Sequence, residues 1–100
     1  MKVVWTDRAK LRLRQIHDRI AAESPMIAPQ VARRIALRSR QAGELPWSGK
    51  MVPEYQHEHI RELKLRPYRI IYLIREELDR ADVLTVRHYH ELLPDDLPQL

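Results

Sequence analysis

Residues 60–89 have the sequence IRELKLRPYRIIYLIREELDRADVLTVRHY. Three segments of this stretch, Ile60 to Leu65, Tyr68 to Arg75 and Asp82 to Tyr89, are rich in Ile, Val, Leu, Tyr and Thr, a composition typical of strands. Arg66-Pro67 separates the first two segments, and an acidic turn near Leu78-Asp79 separates the last two. Because connections this short join neighbouring strands only in the antiparallel sense, the stretch predicts a three-stranded antiparallel meander.

The first 23 residues predict a strand followed by a helix. Val3-Val4-Trp5 is a short β-branched and aromatic run, and Thr6 and Asp7 after it are suited to cap a helix and to favour its positive end. From residue 7 to about residue 23, four apolar residues fall within about 60° of one another when the chain is wound as a helix. They are Ala9, Leu13, Ile16 and Ile20. This narrow stripe predicts the face that the helix turns towards the core.

A second helix is predicted after Ser24-Pro25, which ends the first. Pro29 is tolerated in the first turn of a helix, and glycine accepts the left-handed conformation that often ends one, so Gly43 is the predicted stop. The apolar stripe of this helix consists of Ala28, Val31, Ile35 and Ala42. Leu11 and Leu37 lie outside both stripes, and they are either isolated exposed leucines or part of a groove covered by another chain.

The elements together predict an α+β fold in the order βααβββ, a two-helix hairpin packed on a small antiparallel sheet that the first strand joins. Residues 44–59, with Pro46, Gly49 and Pro53, show no sustained period and are predicted to form a structured loop. A chain of 100 residues is the size of one domain, so we expect residues 1–100 to share a single core.

Charge is divided unequally along the chain. Residues 1–43 carry ten Lys and Arg against three Asp and Glu, a net charge of +7, whereas residues 44–100 carry eight against eleven, a net charge of −3. A basic half on a small domain indicates either a nucleic-acid-binding surface or a docking surface for an acidic protein. Charge alone does not choose between these two partners.

Several function classes are excluded by residues that the chain lacks. It has no cysteine, so disulfides, thiolate metal sites and cysteine nucleophiles are ruled out, and it has neither a glycine-rich phosphate loop nor a recognisable serine nucleophile motif. We therefore expect no cofactor. The first residues contain no apolar run long enough for a signal peptide or a membrane span, so we expect a cytoplasmic protein without membrane contact.

The strand pairing predicts a cluster of cations. Centring the last hairpin on Leu78-Asp79 places Arg69 opposite His88 and Tyr68 opposite Tyr89, and centring the preceding turn on Arg66-Pro67 places Lys64 opposite Arg69. The cations gathered at this end of the sheet are then Lys64, Arg66, Arg69, Arg87, His88 and His90.

Like charges that face each other across strands cost folding energy, so the cluster suggests a site for an anion. Arginine forks that hold a phosphodiester, beside a histidine that transfers protons, are sufficient for RNA cleavage without a metal, and Tyr89 could stack on a base. Two alternatives stay open. Glu62 and Glu91 could neutralise the arginines, or a zinc ion could be bound by His57, His59, His88 and His90.

Six segments of the chain resemble the RelE/ParE toxin superfamily of type II toxin-antitoxin systems, and they cover nearly its whole length. Three lie in the meander, namely Ile60-Arg61-Glu62-Leu63, Tyr68-Arg69-Ile70-Ile71-Tyr72 and Val83-Leu84-Thr85-Val86-Arg87-His88. The others are Trp5-Thr6, Ala32-Arg33-Arg34-Ile35 and Gly49-Lys50-Met51-Val52-Pro53-Glu54. The segment before the meander and Ile60–Leu63 are more similar to the ParE branch, whose members inhibit DNA gyrase, than to the RelE branch, whose members cut messenger RNA on the ribosome.

The resemblance implies a gyrase inhibitor, which is not an enzyme, with a metal-independent endoribonuclease of the RelE type as the alternative. Tyr89-His90-Glu91 departs from the ParE pattern and is similar to the ribonuclease members, and Arg69 matches an arginine that contributes to RNA cleavage in RelE-type enzymes. In that alternative Arg69, His88, Tyr89 and His90 would be catalytic, and Lys64, Arg66 and Arg87 would bind the target or its phosphates. A third possibility is an inactive module that only binds its partner.

The resemblance also implies a partner, an acidic antitoxin that wraps the basic helical hairpin in a hetero-oligomeric complex. This implication agrees with the net charge of residues 1–43, which was obtained without it. The residues predicted to contact the antitoxin are Arg8, Leu11, Arg12, Arg19, Arg34 and Leu37.

Overall fold

The computed structural model describes residues 1–95, in which two helices pack on one face of a five-stranded sheet. The elements are β1 (Lys2–Trp5), α1 (Asp7–Ala21), α2 (Ile27–Ser39), α3 (Gln41–Glu44), β2 (Lys50–Met51), β3 (Ile60–Leu65), β4 (Tyr68–Arg75) and β5 (Arg80–His88). Short 3-10 turns occur at Pro46–Ser48 and Glu76–Leu78. The predicted α+β class and the order of the predicted elements are confirmed.

The sheet has the strand order β1-β5-β4-β3-β2 and is mixed. The meander β3-β4-β5 is antiparallel as predicted, but β1 pairs with β5 in parallel, so the prediction of a purely antiparallel sheet was wrong. Strands this far apart in the chain can pair in parallel because the helical hairpin supplies the long crossover that such pairing needs. Strand β2, which pairs antiparallel with β3, lies in the segment predicted to be a loop.

Helix α1 begins and packs as its sequence predicts. The Thr6 hydroxyl accepts a hydrogen bond of 3.1 Å from the Ala9 backbone N–H and so satisfies one of the free donors of the first turn. Ala9 and Ile16 are buried, and Leu13 and Ile20 pack against the same core. The predicted stripe is therefore the face that α1 turns towards the sheet.

The second helix ends differently from the prediction. Helix α2 stops at Ser39, the chain continues through Arg40 in helical geometry, and Gly43 lies inside the short helix α3 without a left-handed conformation. The prediction that Gly43 ends the helix was therefore wrong. A Cβ atom on Gly43 would lie 2.7 Å from the Val3 side chain and would also overlap the Met1 carbonyl oxygen. Glycine is needed here because α3 lies directly against the start of β1.

Two apolar clusters cover the two faces of the sheet. The helix-side cluster joins α1, α2 and the sheet, and it includes Ile16, Ile35, Ile70, Tyr72 and Val83. The outer-face cluster lies on the opposite side and consists of Val52, Ile60, Ile71, Leu73 and Leu84, with Tyr55 and Leu93 packed against it. None of the helices within residues 1–95 has both the length and the apolar character that crossing a membrane requires.

The register of the meander agrees with the prediction in one hairpin and differs in the other. Lys64 pairs with Arg69 as predicted, but Arg69 pairs with Arg87 and Tyr68 pairs with His88, one residue away from the predicted partners. The pairing of β4 with β5 shifts between Ile71 and Tyr72, where one strand bulges. The predicted pairs Arg69 with His88 and Tyr68 with Tyr89 were therefore wrong.

A shift of one residue places a side chain on the other face of a sheet. Tyr68 packs against the helix-side cluster, and its register partner His88 lies on the same face, with the two rings 6.0 Å apart. Arg69 follows Tyr68 in the strand and therefore points to the outer face. The arginine and the histidine that were predicted to act together are on opposite sides of the sheet.

Candidate functional site

The guanidinium group of Arg69 is bound by two carboxylates on the outer face. Glu54 accepts two parallel hydrogen bonds, of 2.7 Å from Nη1 and 2.9 Å from Nη2. Glu62 accepts through one oxygen, at 3.2 Å from Nε and 2.5 Å from Nη2. The Arg69 side chain is 11% exposed, so the fork is closed by residues of the chain itself.

The two carboxylates come from different parts of the fold. Glu62 lies in β3, two residues before Lys64, and it is buried beside Arg69 because alternate residues of neighbouring strands share a face. Glu54 is itself exposed and lies in the segment between β2 and β3. A hydrogen bond from Arg69 lowers the pKa of Glu54, and hydrogen bonding to Glu54 raises the pKa of Arg69. Glu54 and Arg69 are therefore both charged at neutral pH, and the hydrogen-bond donors of Arg69 are occupied by two carboxyl groups.

A small cavity of about 260 Å³ opens beside this ion cluster. It is lined by Pro53, Glu62, Lys64, Arg69 and Tyr89. Lys64 is exposed, and the buried hydroxyl of Tyr89 has no hydrogen-bond partner within residues 1–95. Of the residues predicted to be catalytic, the structure brings Tyr89 and Arg69 together, and it places the predicted phosphate-binding residue Lys64 with them.

The two histidines of the predicted site do not line the small cavity at Arg69. The His90 backbone N–H donates 3.2 Å to Nδ1 of His88, and the two rings are 5.2 Å apart. Arg66 is exposed in the turn between β3 and β4, and no ion pair involves it in the described part of the chain. The predicted cluster is thus divided into a group around Arg69, a histidine pair and a separate exposed arginine.

Glu91 binds the remaining arginine of the predicted cluster. Its carboxylate accepts from the His88 backbone N–H at 3.0 Å, from Arg87 at 3.4 Å and from Arg12 at a very short distance. Burial acts to raise the pKa of Glu91, but these three donors outweigh it and the pKa is lowered. Glu62 therefore pairs with Arg69, and Glu91 pairs with Arg87 and Arg12. These contacts agree with the alternative that the two carboxylates neutralise the arginines.

The residues predicted to contact an antitoxin lie on the helical hairpin but differ in exposure. Leu11 and Leu37 are 56% and 48% exposed. Arg8, Arg19 and Arg34 are exposed as well, whereas Arg12 is half-buried because its Nε donates to the Val86 carbonyl oxygen at 2.9 Å. Arg12 therefore fastens α1 to the part of β5 that extends beyond the end of β1, and it is only partly available to another chain.

A groove of about 750 Å³ runs between α1 and α2, but Leu11 and Leu37, which were the possible groove residues in the sequence, do not line it. Trp5, Leu13, Ala32 and Ala36 form its apolar floor, and Lys10, Arg14, His17 and Asp18 also line it. None of the six residues predicted for the antitoxin lines this groove. The pair Ala32 and Ala36, one helical turn apart, was the available signal, because small residues leave space beside a helix.

The model of one known protein family covers nearly the whole sequence. The model for the ParE toxin of type II toxin-antitoxin systems matches residues 3–93. The chain belongs to the ParE toxin family.

Solved structures with the same fold come from two toxin-antitoxin systems. The ParE-family chain superposes on a chain of the chromosomal ParDE toxin-antitoxin system from P. aeruginosa with a TM-score of 0.74 and 19% identity, over 88% of this chain and 95% of that one. It also superposes on a chain of the RelBE2 toxin-antitoxin complex from Mycobacterium tuberculosis with a TM-score of 0.56 and 22% identity, over 87% and 95%. At these identities the two likenesses show the fold. No curated protein sequence is significantly similar to the chain.

The positions of His57 and His59 do not support the alternative of a zinc site. His57 and His59 lie 5.8 Å apart, but His59 is hydrogen-bonded to Glu76 at 2.9 Å and its ring contacts Trp47. In the described range 1–95, no three His, Cys, Asp or Glu side chains are grouped as a metal site requires.

Proposed function

We propose that this ParE-family chain is a toxin that inhibits DNA gyrase by binding to it, and that an antitoxin neutralises the toxin. The observation that carries the proposal is that Glu54 and Glu62 occupy the guanidinium hydrogen-bond donors of Arg69, in a chain that belongs to this family. An arginine that is matched by two carboxylates has no free fork with which to hold the scissile phosphate of an RNA.

The position of His88 supports the same proposal. A general acid or base must reach the reacting atoms, at about 3 Å or through one water. His88 lies on the helix side of the sheet with Tyr68, whereas Arg69 and Tyr89 line a cavity on the outer face. A single phosphodiester could not contact Arg69 and His88 together without a rearrangement of β5, which disfavours the RelE-type endoribonuclease.

Two assays with purified toxin test this proposal. We expect the toxin to block supercoiling of relaxed plasmid by gyrase and to leave ribosome-bound messenger RNA intact. Cleavage of the message, slowed about a hundredfold by both Arg69→Ala and His88→Ala, would instead identify a ribonuclease. Activity in neither assay would contradict both toxin mechanisms and leave a module that only binds its partner.

The groove between α1 and α2 supports the antitoxin part of the proposal. Its apolar floor offers area for the buried face of an amphipathic segment, and Lys10 and Arg14 beside it would pair with acidic side chains of that segment. The exposed residues Leu11, Arg19, Arg34 and Leu37 extend this surface over the rest of the hairpin. We therefore place the antitoxin in the groove, with the six residues predicted from the sequence, Arg12 only in part, as further contacts.

A further inference from the structure

Helix α2 and the residues next to it carry arginines without any carboxylate. Between Glu23 and Glu44 the sequence has four arginines and neither Asp, Glu nor Lys, a net charge of +4. Arg34 and Arg38 lie one helical turn apart, and like charges at this spacing destabilise a helix. The negative end of the helix dipole favours cations only in the last turn, which leaves Arg33 and Arg34 unexplained. These arginines therefore need a reason beyond the stability of α2.

Three of the four arginines are exposed. They are Arg33, Arg34 and Arg40, and no ion pair within residues 1–95 engages them. Arg38 differs from them, because it is half-buried and its Nε donates to the Lys64 carbonyl oxygen at 3.0 Å. Glu44 lines a cavity together with Arg40, but the two side chains form no ion pair in the described range. The charge of the three exposed guanidinium groups is thus not compensated by the described part of the chain.

The three exposed arginines lie on the side of α2 that faces away from the sheet. At 100° per residue they fall within about 120° of one another around the helix axis, opposite the buried residues Ala28 and Ile35. Arg33 and Arg40 are seven residues apart, which is about 10.5 Å along the axis. We call this surface, with the exposed Leu37 between the arginines, the arginine face of α2.

The composition of the arginine face favours a nucleic acid over a protein as its ligand. Protein interfaces bury apolar and aromatic side chains at their centre, whereas Leu37 is the one large apolar side chain exposed between Arg33 and Arg40. Helix α2 has no aromatic residue on which an unpaired base could stack, so a duplex fits better than a single strand. A duplex carries one phosphate charge for about every 1.7 Å of its axis, so several phosphates are within reach of this face.

We infer that the arginine face binds the phosphate backbone of the duplex DNA on which gyrase acts, with Arg33, Arg34 and Arg40 each at one phosphate. The choice of DNA over duplex RNA rests on the proposed function, in which gyrase is the target. Phosphate contacts read no bases, so this binding should not depend on sequence. Arg34 is also one of the predicted antitoxin contacts, so a bound antitoxin would cover part of the face and compete with DNA.

Two triple variants test the inference. The face variant carries Arg33→Gln, Arg34→Gln and Arg40→Gln. Glutamine is a good helix former, so α2 should persist in this variant. The control variant removes the same number of charges from exposed positions outside α2, and it carries Lys2→Gln, Lys50→Gln and Arg66→Gln.

The salt dependence of DNA binding is the measurement. The probe is a fluorescein-labelled DNA duplex of about two helical turns, and anisotropy gives its affinity between about 50 and 200 mM salt. Each phosphate contact contributes about 0.9 to the slope of log affinity against log salt concentration. We therefore expect the slope of the face variant to be shallower than that of the parent by about 2.7, and the control variant to keep the parent slope.

Three results of the titration would overturn the inference. One is an unchanged slope in the face variant, and another is an equal change in both variants, which would mean that only net charge matters. The third uses a peptide of ten glutamates. If the peptide loses affinity for the face variant and the duplex does not, the face binds an acidic protein and not DNA. Tighter binding of an RNA duplex of the same sequence would contradict the choice of DNA.

The supercoiling assay separates this inference from the proposed function. To block gyrase, about tenfold more of the face variant than of the control variant should be needed, because the face variant has lost its contacts with DNA. Equal inhibition by the two variants would retain gyrase as the target and overturn the contact with its DNA. No inhibition by the parent would contradict the proposed function, and the duplex titration would then decide by itself whether the arginine face binds DNA.

Discussion

At the scale of single residues, the role of Arg69 is decided by its neighbours. Its place in β4 matches that of an arginine used for RNA cleavage in RelE-type relatives, but here Glu54 and Glu62 occupy its fork. Residue type at a matching position therefore does not establish the chemistry. In this chain the arginine first of all compensates a buried carboxylate.

Replacement of Arg69 by alanine should destabilise the protein strongly. Glu62 would remain 5% exposed in β3 without its cation, and a buried unpaired charge costs about 3 kcal/mol of folding free energy. Arg66→Ala, which removes an exposed arginine three residues away, should change stability by less than about 0.5 kcal/mol. Urea unfolding at pH 7 measures both variants. Similar midpoints for the two would mean that Glu62 does not depend on Arg69.

A second residue-scale prediction concerns Gly49, which is packed against Tyr72. A Cβ atom at this position would lie 2.9 Å from the Glu62 carbonyl oxygen and would overlap the Tyr72 hydroxyl, which donates to the Pro46 carbonyl oxygen at 2.5 Å. Gly49→Ala should therefore cost about 2 kcal/mol through overpacking. In thermal unfolding, Tyr72→Phe should recover part of this loss in the Gly49→Ala background, although alone it destabilises by about 1 kcal/mol. Purely additive effects would contradict the close contact.

At the scale of elements, the bounds of the strands could be predicted from the sequence. The pairing of the strands could be predicted only in part. β3 and β4 have the predicted bounds because their composition and the flanking turns mark both ends. The register of β5 was missed because the turn is centred between Glu77 and Leu78 and not on Leu78-Asp79, as the pairing of Arg75 with Arg80 shows. The extra residue at the bulge, Leu84, then leaves Arg69 one residue from its predicted partner. Strand β2 has two residues, too few for any period to be visible. The register difference in β5 is what separated His88 from Arg69.

The far end of the β4-β5 hairpin should make stability depend on pH. Asp82 accepts from Arg75 at 2.8 Å and from Arg80, and the two arginines are register partners across the strands. Burial acts to raise the pKa of Asp82, but the hydrogen bonds from Arg80 and Arg75 outweigh it and the pKa is lowered. A lowered folded pKa gives stability that is present above the unfolded value of about 3.9 and is lost as the pH falls through the folded value.

The variant Asp82→Asn isolates this contribution. At pH 6 it should unfold at a lower urea concentration than the parent, by about 2 kcal/mol, because an amide cannot compensate two arginines that face each other. The difference between the two proteins should shrink as the pH falls below about 4. A difference that stays constant from pH 6 to pH 2 would contradict a charged Asp82 in the folded state.

At the scale of the whole molecule, the fold separates two surfaces of different character. The helical hairpin carries the basic excess that was visible in the sequence, with a net charge of +7 over residues 1–43. On the outer face of the sheet, Arg69 is paired internally with Glu54 and Glu62. The division of charge was predictable because it needs only the residue order, whereas the lining of the groove was not, because it depends on how closely α1 and α2 approach. A protein partner of opposite charge should thus be drawn first to the hairpin.

Charge reversal at the groove should test whether the helical hairpin binds the antitoxin. Lys10 and Arg14 line the groove one helical turn apart, and no ion pair within residues 1–95 engages them. The double variant Lys10→Glu and Arg14→Glu should weaken binding of the cognate antitoxin about a hundredfold at low salt, since it replaces attraction by repulsion at two sites. Raising the salt concentration should reduce the difference in affinity between the variant and the parent, because mobile ions screen exposed charges.

The matched control reverses Lys50 and Arg66, both exposed and distant from the groove, and changes the net charge equally. Titration calorimetry on the three proteins gives the affinities, and equal losses in both double variants would mean that the antitoxin responds to net charge and not to the groove.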